Sequence, residues 1–236
     1  MEEGKTIFMK KFILLLLILS FANAFSQEYH FDYLIKYKYQ SKQKKEKQTE
    51  NFEFLSIINS KDYSYKINFR SESRDTMTAT ITDLRNDLQH YFNVMNTKSP
   101  LGKLNFDYKY SKRIPSAKKQ LEDESKRRFF RSEFTEKQND QFSQYIIKEY
   151  SNEKMKKPKV SAEVIFADFQ DDLSFIGLQL LFDYYEIYNK VKFEKNYIVK
   201  SASAKSENLE IVLSLETIEP QNIDIKINPD QLKFQN

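Results

Sequence analysis

The sequence contains no cysteine. That excludes disulfides, a thiol nucleophile and thiolate metal sites. Tryptophan is absent as well, which removes the usual platform for stacking against sugar rings. With only 3 glycines in the chain there is no glycine-rich loop to cradle a phosphate. The two histidines, His30 and His90, are single and far apart in the sequence. Metal sites need three or four ligands, so neither a metal nor another cofactor is expected. No G-x-S-x-G elbow is present, although counting alone leaves a Ser-His-Asp arrangement open. Charge of one sign is also lacking: 38 basic residues meet 34 acidic ones, for a net +4. Such mixed charge is not the footprint of a nucleic-acid binder, and no nucleic acid is expected as partner.

Long apolar runs are limited to the N-terminus. Lys10 and Lys11 precede an unbroken apolar stretch from Phe12 to Leu19, followed by Ala22, Asn23 and Ala24. A basic start, a short apolar core and small residues at the cleavage positions form a secretory signal peptide. The run is shorter than the ~20 residues that cross a bilayer. Met9 fits as the true start, and cleavage fits after Ala24 or after Ser26. Residues 1–26 are therefore expected to be removed, leaving 27–236 as a single domain in the periplasm or outside the cell. No transmembrane segment follows, and no cysteine behind the leader can carry a lipid anchor.

What the sequence has in abundance is alternation. Phe31, Tyr33, Ile35, Tyr37 and Tyr39 fall on one parity, with polar residues on the other except for Leu34. Side chains alternate across a strand, so this spacing writes one apolar and one wet face, typical of antiparallel sheet. The same rhythm recurs at Tyr63–Phe69, Met77–Ile81, Leu88–Val94, Leu104–Tyr110, Val160–Phe166, Val191–Val199, Leu209–Leu215 and Ile223–Ile227, and more weakly at Asn51–Ile58 and Gln144–Glu149. The pattern predicts about ten to twelve strands joined by hairpins. Turn residues mark the joints: INSKDY, NTKSPLGK, NEKMKKPK, SAKSEN, and EPQN between the last two strands.

Two segments break the rhythm. PSAKKQLEDESKRR begins with Pro115 and is rich in helix formers, which predicts a helix from Ala117 to about Arg128. In DDLSFIGLQLLFDYYEIY, Leu173, Ile176, Leu180, Leu181, Tyr184 and Tyr188 fit a helix, while Ile176, Leu178, Leu180, Phe182 and Tyr184 also alternate. A helix from about Leu173 to Leu181, with strand beyond, is the favoured reading. The fold expected is mainly β (α+β): a strongly curved antiparallel sheet or half-barrel with one or two helices packed on it.

Few sites for chemistry emerge. Asp168, Asp171 and Asp172 cluster at a strand end; turn chemistry and a helix cap are the favoured account of them, and a hydrolase site is the alternative. Lysine clusters at KQKKEK (Lys42, Lys44, Lys45, Lys47) and KMKKPK (Lys154, Lys156, Lys157, Lys159) fall in connections, where they are either solvated loops or a face for an anionic surface. Aromatics are the larger signal. Such aromatics are either ordinary core or, with so few helices to cover the strands, the lining of a partly open sheet face, for which Tyr33, Tyr37, Tyr65, Phe69, Phe106 and Tyr110 are the candidates. Such a face suits an apolar or amphipathic small molecule. A protein of the cell envelope is the alternative partner, with the chain as a subunit of an assembly.

The leader ending in FSQ, followed by an aromatic Y-x-Y first strand, resembles small secreted proteins of Bacteroidetes, and more distantly the GLPGLI-type proteins. In FIGLQLLFDYYEI, Gly177, Leu178 and Leu181 stand for parts of the namesake motif. Its proline, its second glycine and a cysteine are missing. The resemblance implies export and supplies no function.

Overall fold

A computed structural model describes residues 27–45, 48–71, 77–95, 104–115, 117–137 and 141–235. The leader and all of NTKSPLGK lie outside the described residues. Eleven strands form one antiparallel sheet that does not close on itself. From β1 (Gln27–Gln43) the chain meanders outward through β2 (Glu50–Ile58), β3 (Tyr65–Ser71), β4 (Met77–Asp83) and β5 (Leu88–Met95) to β6 (Asn105–Arg113) at one edge. Helix α1 (Ala117–Ser125) leads to β7 (Phe129–Lys137) at the opposite edge. The chain then returns through β8 (Phe142–Tyr150), β9 (Val160–Asp168), α2 (Ser174–Phe182), α3 (Ile187–Lys190) and β10 (Tyr197–Ser206). It ends in β11 (Leu209–Ile227), paired with β1 at the centre of the sheet.

This topology cannot be flat. Eleven strands about 4.8 Å apart span about 48 Å edge to edge. The link from Arg113 to Phe129, nine of whose residues are helical, reaches at most about 40 Å. The sheet must therefore roll to bring β6 and β7 within reach of each other.

Consecutive residues of β1 and β2 feed two separate cores. Ile35 and Ile58 join the first, Leu34 and Ile57 the second. Neighbours in a strand point to opposite faces, so the two cores lie on opposite sides of the sheet centre. That accounts for Leu34, the residue that breaks the alternation. The first core is roofed by α2 and α3. The second is covered by the sheet itself: beyond the reach of β2, residues 27–32 of β1 pair with β11 alone, and Tyr29, Phe31, Ile225 and Ile227 pack with Ile67, Ile81 and Phe92.

The structure corrects two sequence expectations and adds a strand that the sequence pattern did not signal. EPQN joins no pair of strands: β11 runs through it for 19 residues, and Pro220 sits opposite Tyr33 where the register with β1 slips. Strands admit proline at such irregularities. The strand expected after α2 is instead a turn and the short α3, and Val191 and Phe193 precede β10 in loop. Strand β7 carries no alternation signal because it is an edge strand with mostly exposed residues. Elsewhere the helix at α1, the hairpin tip between β1 and β2 and the turn at Glu207–Asn208 match the sequence reading.

Candidate functional site

Helix α2 is apolar around its whole circumference, and all but Leu180 of its residues are buried. Asp172 Oδ1 accepts the Ser174 N–H (3.1 Å) just ahead of its first turn. Asp183, at φ 46°, ends the helix in the left-handed region. The helix stops short of the strand ends, and there a cavity of about 630 Å³ opens. Its floor is Tyr39 of β1, Phe54 of β2, Val160 of β9, and Leu209 and Ile211 of β11, with Leu180 and Gln179 of α2 above. The size falls in the ~300–1,000 Å³ range of small-molecule sites.

One wall is ionic. Glu149, 1% exposed, is held by Arg128 through Nε–Oε1 (2.9 Å) and Nη2–Oε2 (3.0 Å). The same guanidinium donates to the Asp183 carbonyl (2.9 Å) and to the Phe182 carbonyl, and lies over the Tyr184 ring. It thus caps the C-terminal end of α2, where carbonyls lack helical partners. Lys159 stands 3.7 Å from Glu149 at the mouth. Beside the cavity, Lys66 Nζ donates to Gln179 Oε1 (2.8 Å) and lies 4.8 Å from the Tyr185 ring centre. Burial is the main cause that pushes its ammonium down to about 8, with Asp183 opposing it.

The six aromatics expected on one face are distributed over three places. Tyr33 and Tyr37 belong to the helix-covered core; Tyr37 donates to the Val199 carbonyl (2.9 Å) and Tyr33 to Asp171 Oδ2 (2.7 Å). Tyr65, Phe69 and Phe106 pack in the second core. Tyr110 stacks on Tyr91 (4.6 Å), away from Phe92, because a register slip in β6 turns it to the other face. The cavity walls come from neighbours of these residues. Tyr39 closes the first aromatic run, and Val160, Leu209 and Ile211 begin alternating segments. The sequence reading ends α2 within one residue of its observed end at Phe182; what it could not indicate is that this end falls short of the strand ends and leaves them uncovered.

Of the three aspartates, Asp172 serves the helix start as described. Asp171 is held below the usual carboxylate range first by the Lys61 ammonium and then by the Tyr33 hydroxyl. Asp168 faces Lys195 at 3.3 Å. Each carboxylate has a local structural partner, and no group of three potential metal ligands occurs among the described residues.

A second polar assembly lies under the other wing. Tyr29 donates to Asp83 Oδ2 (2.8 Å) and meets His90 Nε2 (2.9 Å); His90 Nδ1 meets Ser111 Oγ (2.6 Å), which meets Tyr108 Oη (2.7 Å). Here histidine, serine and aspartate do come together, but Tyr29 stands between His90 and Asp83, and Ser111 and His90 are fully buried. The chain of bonds ties β1, β4, β5 and β6 together. Burial is the main cause that pushes His90 down to about 4, with Asp83 opposing it. A cavity of about 640 Å³ adjoins Tyr29, Tyr65, Asp83 and Arg113, with Leu232 and Phe234 at its side.

No helix among the described residues is long and apolar enough to cross a membrane. No protein-family model matches the sequence, and no curated protein does. Among solved structures, the chain is similar to a domain assigned to outer membrane lipoprotein sorting from Vibrio parahaemolyticus, at 9% identity over 81% of this chain and 86% of that one, with a TM-score of 0.28. It is also similar to a DUF1329 family protein from Desulfovibrio piger, at 12% identity over 80% and 85%, with a TM-score of 0.28. At these scores neither neighbour bears on the ligand or the residues of the site.

Proposed function

We propose that this is an exported, non-enzymatic binding protein that holds an apolar or amphipathic molecule between the end of α2 and the sheet. The observation that carries this reading is the 630 Å³ cavity walled by Tyr39, Phe54, Val160, Leu180, Leu209 and Ile211. Its polar groups are engaged with one another, Arg128 with Glu149 and Glu53 with Lys36 (3.0 Å), so they do not form a convergent catalytic set. Burying about ten methylenes there would contribute about 8 kcal/mol before the cost of ordering the chain. The leader pattern at residues 1–26 supports export. Kinship with the GLPGLI-type secreted proteins belongs to the same proposal and rests on Gly177, Leu178 and Leu181 of α2.

The test is titration of residues 27–236 with a fluorescent fatty-acid probe. Saturable binding is expected. Leu180→Glu, which sets a carboxylate against the apolar floor, weakens it at least about tenfold, while Tyr91→Ala on the far wing leaves it unchanged. A probe that never saturates, with both proteins folded by circular dichroism, overturns the proposal.

A further inference from the structure

The two lysine clusters are far apart in sequence, yet the fold brings them to one end of the sheet. Lys42, Lys44 and Lys45 lie at the β1–β2 tip, and Lys154, Lys156, Lys157 and Lys159 in the β8–β9 turn. Between them lies the β10–β11 turn, with Lys205. The Lys44 N–H donates to the Asn208 carbonyl (3.0 Å), joining the first tip to that turn. Val160 at the start of β9 pairs with Ser206 at the end of β10, joining the third.

All eight lysines are exposed. Among the described residues Lys159 is the one of them that meets a carboxylate. Among the described residues, these turns and the two strand residues on either side of each carry five glutamates, Glu50, Glu149, Glu153, Glu207 and Glu210. The eight lysines therefore exceed the five glutamates by three charges, most of the +4 of the entire chain. The polarity is produced by folding, and a sequence of almost balanced charge hides it.

This end is also where the cavity opens: Val160, Ser206 and Leu209 line it beside the turns, and Lys159 stands at its rim. Phe52, next to the β1–β2 tip, is 52% exposed and leans on Tyr39 of the cavity floor. Basic side chains around an exposed aromatic and an apolar opening match the chemistry of a bilayer surface. The lysines meet anionic headgroups and the ring enters the interface.

We infer that the β1–β2, β8–β9 and β10–β11 turns form a docking surface for an anionic lipid bilayer, with the cavity mouth turned toward it. This surface is an electrostatic property of the strand ends and stands whether or not the cavity binds the fatty-acid probe. The bilayer is chosen over nucleic acid because apolar surface lies at the centre of the patch, and the lysines surround it.

The experiment is co-flotation of residues 27–236 with vesicles of phosphatidylcholine, with and without phosphatidylglycerol, across a salt series. Binding is expected with phosphatidylglycerol only, and it weakens as salt rises. Replacing Lys42, Lys44 and Lys45 by glutamate, or Lys154, Lys156 and Lys157 by glutamate, lowers it at least about tenfold. The same reversal at Lys109, Lys195 and Lys226, away from this end, changes it far less. All six replaced lysines are exposed, so folding is retained, and melting temperature and circular dichroism check this. The proposal is overturned if the two vesicle types are bound alike, if neither is bound, or if the distant triple variant loses as much as the turn variants.

Discussion

His90 is one of two histidines, and its parity alone, with no motif around it, marks its setting. It falls on the apolar parity of β5 between Leu88 and Phe92, and that parity puts it in the second core beside Tyr29 and Ser111. The side chain is fully buried and neutral, because burial costs the charged imidazolium more than Asp83 returns. The folded state resists protonation down to about 4, while the unfolded chain takes up the proton near 6.5. Stability is therefore fully present above about 6.5 and falls as pH drops toward 4, by about 3 kcal/mol in total. Asp171, held below its ordinary value, adds a loss only at lower pH, as its carboxyl becomes protonated. Urea unfolding at a series of pH values is expected to show this upper step, and His90→Gln to flatten it. An unchanged slope in the variant would assign the step to other groups. Leu34 illustrates the same point in reverse: its break in the pattern was visible in the sequence, but its cause, a second core across the sheet, was not.

At the scale of the element, legibility followed one-sidedness. Strands β4 and β5 bury one face and so write a clean period of two, whereas the edge strand β7 buries little and writes none. Helix α2 fits both periods because it is apolar on every side, and period alone cannot separate a buried helix from a buried strand. Gly177 was visible as a motif fragment, and its physical role emerges in the packing of α2 on β10. A Cβ there would lie 2.5 Å from Val199 Cβ and 2.6 Å from Val199 Cγ2. Val199 is fully buried, and its Cβ is fixed by the strand, so the helix would have to lift. Gly177→Ala is expected to destabilise by about 2 kcal/mol despite its better helix propensity. A double-mutant cycle with Val199→Gly should show the pair to be less destabilised than the sum of the two changes. Additive effects would mean that α2 does not press on β10 at this point.

For the whole molecule, the sequence made an antiparallel sheet legible, but not its roll, which follows from a short link between its two outermost strands. A rolled, unclosed sheet leaves two edges, and exposed edges invite pairing with other chains. One of them is partly covered by the chain itself. After β11 a short turn at Pro229–Gln231 sends the chain back along β6. There the Ser111 N–H donates to the Lys233 carbonyl (2.8 Å), the Gln235 N–H to the Ser111 carbonyl (3.0 Å), and the Lys233 N–H to Tyr108 Oη (3.2 Å). Leu232 packs on the second core, and Phe234 lies 5.1 Å from the Arg113 guanidinium. This tail thus shields Ser111, which links His90 to Tyr108 in the chain of bonds that starts at Asp83. Ending the protein at Gln231 removes three hydrogen bonds and opens that stretch of edge. The expected loss is about 3 kcal/mol at about 1 kcal/mol for each bond, together with concentration-dependent self-association through β6. Chemical unfolding measures the first and sedimentation velocity the second. A truncated protein that stays monomeric and unfolds at the same midpoint would mean that the tail neither stabilises the second core nor guards the edge.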